Sequence, residues 1–457
     1  MHKIKNYQML LENSPHFIRE RKVVLDLIEE TMASIDTDKV MKEKVSFDGN
    51  ILKIVDKSFD LSKYKHVYVI GAGKATWKMA KSLNDLLGNR IKEGWINSFR
   101  DATFGNIRVI KAGHPIPNQI SLEGTKQIIR IAKKAEKEDL VICLISGGGS
   151  TLMILPAEDI SLQDMITMNR LFLKSDMRIQ YINCIRKHLS QIKGGLLAKA
   201  VHPANLVSII ISDVVGDKID VIASGPTAPD SSQYRKAIEY LKKFWLWRKT
   251  PASVKRRLLR GAKGKIPETP KEHDKIFEKV TNIIILNNYA SLAAMRAMVI
   301  NQGMDCEIYS NQIEGEARVV GLKLLVEADQ LSKRYKKDFI LLSGGETTVT
   351  VKGDGKGGRN QELGLGTVGK IAHMSAVIAS FGSDGIDGFS KAAGAIVDSR
   401  TMQRSQKLGL DYHDYLENND SNHFFKILGD EIITGHTGTN VMDFQIIYIP
   451  KRTVNAK

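Results

Sequence analysis

Two glycines precede a lysine in Gly71-Ala72-Gly73-Lys74-Ala75, and three consecutive glycines lie between serines in Ser146-Gly147-Gly148-Gly149-Ser150. Glycines at a strand-to-helix turn let backbone approach a phosphate, and the helix N-terminus adds partial positive charge, to which Lys74 adds a full one. The spacing is not that of a Walker A loop, which needs four residues between its first glycine and Gly-Lys. It also departs from the dinucleotide fingerprint, because Thr76 stands where the third glycine belongs. Three glycines in a row cost conformational entropy on folding, so the Ser146 to Ser150 loop reads as backbone lying against a ligand. Its amides would form an anion nest and its hydroxyls would be further donors.

Other segments carry charge. Arg186 and Lys187, adjacent in Asn183-Cys184-Ile185-Arg186-Lys187-His188-Leu189-Ser190, can clamp a carboxylate, or can simply line a surface helix. Asp213, in Ser212-Asp213-Val214-Val215-Gly216-Asp217, is placed to hold Mg²⁺ or to start a turn. Ala223-Ser224-Gly225-Pro226-Thr227 follows it. In the second half, Ser343-Gly344-Gly345-Glu346-Thr347-Thr348 is followed by Gly357-Gly358-Arg359-Asn360-Gln361-Glu362. Arg359 opens a helix from which a guanidinium can reach phosphoryl oxygens in a transition state. Asp384 and Asp387, in Gly382-Ser383-Asp384-Gly385-Ile386-Asp387-Gly388, offer a metal ligand or a base for a hydroxyl. The series ends in Thr434-Gly435-His436-Thr437-Gly438-Thr439-Asn440-Val441-Met442-Asp443.

Positioning these residues requires strands. Apolar runs at 67–70, 140–145, 206–211, 283–286, 339–342 and 376–381 alternate with amphipathic helical stretches, the signature of a largely parallel α/β sheet. Each run leads directly into polar residues, most of them in the segments above, and in open α/β sheets ligands sit outside the carboxyl ends of the strands. Residues 16–44 read as helical, with Phe17, Val24, Leu27, Ile28 and Ile35 roughly on one face. At 457 residues the chain exceeds one ordinary core, so two domains are expected. The basic, Pro-bearing stretch 250–270 reads as the linker, which places a boundary near 245: a domain over 1–245, with a helical segment 1–60, and another over 246–457.

The net charge of +16 raises the question of nucleic acid, but Lys255, Arg256, Arg257, Arg260, Lys263 and Lys265 lack interleaved aromatics. The field is better suited to collecting anionic small molecules. Cys143, Cys184 and Cys306 lack metal-ligand spacing and fit reduced thiols, with Cys143 buried in a strand. No run of 18 apolar residues and no apolar leader is found, so a cytoplasmic protein without membrane or nucleic-acid partners is expected.

Taken in order, G-A-G-K-A, S-G-G-G-S, R-K-H-L-S, S-D-V-V-G-D with A-S-G-P-T, S-G-G-E-T-T, G-G-R-N-Q-E, S-D-G-I-D-G and T-G-T-N-V resemble the glycerate 2-kinase family, from about residue 60 to 445. This family carries a C-terminal MOFRL domain, and some members bear a hydroxypyruvate reductase label. The resemblance implies an N-terminal Rossmann-like α/β/α sandwich, a second α/β domain with a mixed sheet, and an active site in the cleft between them. It implies transfer of the γ-phosphoryl of ATP to O2 of D-glycerate, giving 2-phosphoglycerate and ADP, and leaves a homodimer open. The family's catalytic lysine and arginine map onto Lys74 and Arg359, with Asp213 as a third catalytic candidate. Gly71, Gly73, Gly344, Gly345, Thr437, Gly438 and Asn440 are assigned to the nucleotide. Ser146, Gly147, Gly148, Gly149, Ser150, Arg186 and Lys187 are assigned to glycerate, and Asp213 and Asp384 to Mg²⁺. Two segments depart from the family pattern: its G-P-T-D-A-A-G-A reads here Gly388-Phe389-Ser390-Lys391-Ala392-Ala393-Gly394-Ala395, and its T-G-P-T-G-T-N-V has His436 for proline. The rival reading, a nicotinamide-dependent hydroxypyruvate reductase, would need the third fingerprint glycine and an acidic ribose partner.

Overall fold

The fold is a computed structural model in which residues 2–451 are described. It divides into two compact units: Thr37–Ile285, and the residues up to Asp36 together with those from Leu286 onward.

In the first unit a seven-stranded sheet runs in the order Val280–Leu286, Asn205–Ile211, Leu140–Ile145, Val67–Ala72, Ile91–Ser98, Ile107–Lys111 and Ala102–Phe104. The pairings from Asn205–Ile211 through Ile107–Lys111 are parallel, and Ala102–Phe104 closes the edge antiparallel. Strands Val67–Ala72 and Leu140–Ile145 are buried along their whole length, which explains why they read as continuous apolar runs rather than alternating ones. Cys143 lies in this core, and burial pushes its thiol up to about 12, as expected for an inert cysteine. An antiparallel three-stranded sheet, Val45–Asp48, Ile51–Ile54 and Lys57–Asp60, precedes the main one.

The second unit is built on a six-stranded mixed sheet ordered Asp305–Ile313, Phe339–Gly345, Asp443–Ile449, Val377–Gly382, Gly394–Asp398 and Glu431–Ile432. Only the first pair is parallel. Its core gathers Phe339, Leu341, Leu363, Val368, Ile378, Phe424, Phe425 and Ile447.

The units differ from the expected division in three places. The helical stretch expected over 16–44 forms two helices, Ile18–Ser34 and Thr37–Lys44, and the chain changes unit at their junction. Helix Ile18–Ser34 belongs to the second unit because the fully buried Arg21 donates to Asp398 at 2.6 Å, to both oxygens of Asp430 and to the Leu10 carbonyl. The expected linker 250–270 lies within the first unit. Its helix Ala252–Ala262 buries Val254 and Leu258 beside Tyr234, Ala237 and Leu241, with Arg256 and Arg260 exposed on the opposite face and Arg257 turned inward to donate to His188 O and to Asp159, each at 2.9 Å. Its following loop is tied down by Glu268, which accepts from the His188 ring at 2.9 Å. Strand Val280–Leu286, read as opening the second domain, is the edge of the first unit's sheet, so the boundary falls near 286 and not 245.

Candidate active site

In the first unit the turn after Val67–Ala72 and the loop after Leu140–Ile145 are locked together. Lys74 N donates to Gly147 O at 2.8 Å, Ala75 N to Ser146 Oγ at 3.0 Å, and Gly73 N to Asn97 O at 3.2 Å. A Cβ on Gly71 would lie 2.0 Å from Leu144 O, and one on Gly73 2.1 Å from Ser146 Oγ. These glycines are therefore required by the neighbouring strand and loop. The amides of the Gly73–Ala75 turn are committed within the protein, which removes the expected phosphate cradle at Gly71 and Gly73. What the turn presents is the half-buried Lys74 side chain, whose ammonium lies 5.8 Å from the centroid of the Phe99 ring.

The Ser146 to Ser150 loop is less fully committed. Gly148 takes a left-handed conformation (φ 79°), and among the described residues the Gly147 and Gly148 amides make no hydrogen bond within the protein. Asp213 stands against the loop, with its Oδ2 2.4 Å from where a Gly147 Cβ would lie. Ser150 Oγ contacts Ser224 Oγ at 2.9 Å, and Ser224 donates to Asn183 Oδ1 at 2.9 Å. Ala223 and Ser224 hold φ of 51° and 63°, a left-handed pair without glycine that costs on the order of 1–3 kcal/mol per residue. This cost is maintained where three segments converge on one hydroxyl.

Beneath the loop, Lys193 is almost fully buried and donates to the carbonyls of Ser150 at 2.6 Å and Met153 at 3.3 Å. Burial, with the charge of Arg186, draws it down to about 7. Arg186 donates to Asn169 Oδ1 at 3.0 Å and has no carboxylate partner among the described residues; burial lowers it to about 10. Lys187 is different. It is buried on Asp230 at 3.2 Å and Asp220 at 3.4 Å, a structural ion pair that removes it from the expected carboxylate clamp.

In the second unit Arg359 opens helix Arg359–Ile371 as expected, and its guanidinium is held by carboxylates. It grips both oxygens of Asp443 and donates to Glu346 at 2.6 Å, leaving about a third of the side chain exposed, 34%. Burial opposes its charge, but Asp443 and Glu346 outweigh that and hold it above the ordinary arginine range. Asp387 is no open base: its two oxygens accept from the backbone and side-chain amides of Asn360 and Gln361, capping this helix. Gly344 and Gly345 are packing positions, since Cβ atoms there would lie 2.0 Å from Asn288 Oδ1 and 2.3 Å from Ile313 O. Thr437 and Asn440 brace their own loop, Thr437 Oγ1 donating to Ser383 O at 2.7 Å and Asn440 Oδ1 accepting from Met442 N at 3.0 Å. Gly438 turns that loop at φ 82°. His436 and Lys391, the two departures in sequence, are both exposed.

Among the described residues no three His, Cys, Asp or Glu side chains converge as a metal site. Asp213 and Asp384 each bring a single half-buried carboxylate; one oxygen of Asp384 accepts from Ile386 N at 3.1 Å. A single carboxylate is compatible with Mg²⁺, which is usually held by one or two carboxylates together with waters and substrate phosphates. The motifs gave no role to Lys193, Asn183, Ser224, Phe99 or His114, although Asn183 and Ser224 lie within segments quoted above. The signal for His114 was its place just beyond strand Ile107–Lys111, one of the strand ends not read as part of the rim.

The first unit sets the cations Lys74, Lys193 and Arg186 about the ends of a parallel sheet, and the second opens a helix on Arg359, a chemistry that suits anionic small molecules. Residues 23–259 match a family described as a domain of unknown function, and residues 339–443 match the MOFRL family. The chain is 36% identical to a glycerate 2-kinase of Pyrococcus horikoshii, covering 94% of this chain and 98% of that one. It is 35% identical to a D-glycerate 2-kinase of Thermotoga maritima, covering 93% and 97%. The crystal structure of glycerate kinase from Thermotoga maritima superposes with a TM-score of 0.81 at 34% identity, covering 94% of this chain and 99% of that one. This chain belongs to the glycerate 2-kinase family.

Proposed function

We propose that this enzyme transfers the γ-phosphoryl of ATP to O2 of D-glycerate, giving 2-phosphoglycerate and ADP. The observation that carries the substrate assignment is Arg186: a largely buried guanidinium with no carboxylate partner among the described residues, whose charge acts on Lys193 beneath the Ser146 to Ser150 loop. An anionic ligand carboxylate would offset the burial that Arg186 otherwise bears alone, and bidentate pairing would orient the ligand. The unengaged Gly147 and Gly148 amides and the Ser150 hydroxyl supply further donors to the same small acid.

In the first unit Lys74 is a point charge suited to neutralising phosphate, and in the second Arg359, pre-oriented by Asp443, offers a planar fork suited to phosphate oxygens. Mg²⁺, when bound through Asp213 or Asp384, neutralises nucleotide phosphate charge. Catalysis by these residues is positioning and charge neutralisation, which loose phosphoryl-transfer transition states require. The reductase reading finds little support, since Thr76, in place of a fingerprint glycine, is buried with its Oγ1 on Gly73 O at 2.8 Å.

A coupled assay of ADP release over a panel of three- and four-carbon hydroxy acids, with the product identified by phosphorus NMR, tests the proposal. ADP release with D-glycerate and a 2-phosphate product is expected. NADH oxidation with hydroxypyruvate, and no ADP release, would replace it with the reductase reading.

A further inference from the structure

We infer that His114 is a catalytic residue of this kinase, its imidazole contacting the substrate hydroxyl and taking its proton as that oxygen attacks the γ-phosphorus. The inference rests on the kinase reading and adds a residue that the motifs did not single out. His114 stands just past strand Ile107–Lys111, at the same end of the parallel sheet as Lys74 and the Ser146 to Ser150 loop. A Cβ on Gly148 would lie 3.1 Å from His114 Nε2 and 3.2 Å from Lys74 Cγ, so imidazole and lysine flank one glycine of the loop. Phe99 joins the group, meeting the His114 ring edge-on at 5.3 Å and lying 5.8 Å from the Lys74 ammonium.

The ring nitrogens of His114 have no hydrogen-bond partner among the described residues. Histidines that serve structure in this unit look different: both nitrogens of His188 are engaged, on Cys184 O and Glu268, and His66 contacts Asp139. Burial, and then the charge of Lys74, hold His114 down to about 4, so near neutral pH it meets a ligand as an uncharged acceptor. Phosphates bound at Lys74 offset the charge that depresses it, so its basicity rises when nucleotide is present. In the step, the hydroxyl oxygen bonds to the γ-phosphorus and the bond from that phosphorus to the bridging oxygen breaks. ADP leaves with the electron pair, and the hydroxyl proton passes to His114 and then to solvent.

The test compares the parent enzyme with His114→Ala and His114→Gln on ATP and D-glycerate, with thermal unfolding of each. Turnover should fall on the order of 10²- to 10⁴-fold in both, with the KM for ATP changed by less than about threefold. Added imidazole should restore part of the turnover of His114→Ala but not of His114→Gln, whose side chain fills the space. If His114→Ala melts far below the parent, His114→Gln alone decides the rate comparison. A folded variant within about threefold of parental turnover overturns the inference, as does a loss confined to the KM for ATP or a slow, folded His114→Ala that imidazole does not rescue. A parent enzyme that releases no ADP with D-glycerate overturns the kinase reading and this inference together, which distinguishes that failure from the others.

Discussion

Arg186 and Arg359 carry the same side chain into opposite electrostatic settings. Arg359 is gripped by both oxygens of Asp443 and by Glu346, and stays more firmly charged than an ordinary arginine. Among the described residues Arg186 meets only neutral groups, donating to Asn169 and lying over the Phe172 ring, and burial works against its charge. An arginine whose burial is offset by protein carboxylates is a fixed, aimed donor, whereas one whose burial is not offset gains most from a ligand anion. Removing Arg186 leaves no carboxylate of the described residues unpaired, while removing Arg359 leaves Asp443 buried without its partner. Arg21, with no exposure and two carboxylates, marks the purely structural end of the same scale.

That scale orders the experiments. Arg21→Met leaves Asp398 and Asp430 buried with less compensation and should cost about 3–5 kcal/mol of stability by denaturant unfolding. A loss below about 1 kcal/mol would mean that Arg404, which also binds Asp430, carries the network alone. Lys74→Met should lower turnover about 10³-fold with little change in melting temperature, because the half-buried residue lies in the turn before helix Thr76–Leu87 and outside the packed core. Near-parental turnover would end its catalytic assignment.

Arg359→Lys keeps the charge but loses the fork, so kcat should fall on the order of 10²-fold with a small change in the KM for ATP. An effect on KM alone would make Arg359 a nucleotide-affinity residue. Arg186→Gln should raise the KM for D-glycerate by up to about 10²-fold and leave both stability and the KM for ATP nearly unchanged, the inverse of Arg21→Met. A destabilised protein with an unchanged glycerate KM would abolish the contrast drawn here.

The smallest effect concerns the segment first read as a linker. Burial opposes protonation of His188, but hydrogen bonds to the Cys184 carbonyl and Glu268 lift it from 6.5 to about 9. A raised histidine contributes stability that is complete below pH 6.5 and lost as pH rises through about 9. Glu268→Gln should therefore destabilise by about 1 kcal/mol at pH 6.5, with the difference from the parent shrinking toward pH 9. A pH-independent difference would mean that Glu268 acts through its bonds to Tyr234 N rather than through His188.

The sequence by itself determined the α/β class, the six buried strands it named and the polar residues at their ends, because a strand buried on both faces must be apolar and its exit must turn. It also placed Lys74 and Arg359 at helix starts, since glycine punctuation is local. The tertiary structure decided which of the motif residues remain available to a ligand. Lys187 and Arg186 are adjacent and chemically alike, yet one is neutralised by Asp230, 43 positions away, and the other by no carboxylate among the described residues. Gly71, Gly73, Gly344 and Gly345 read as ligand contacts, and only the strand or loop packed beside each showed that the neighbour was protein. Helix Ala252–Ala262 and helix Ile18–Ser34 likewise have compositions that do not state which core receives them. Local propensity is written in consecutive residues, but charge compensation and close packing are pairwise properties of residues far apart in sequence, and only folding brings those pairs together.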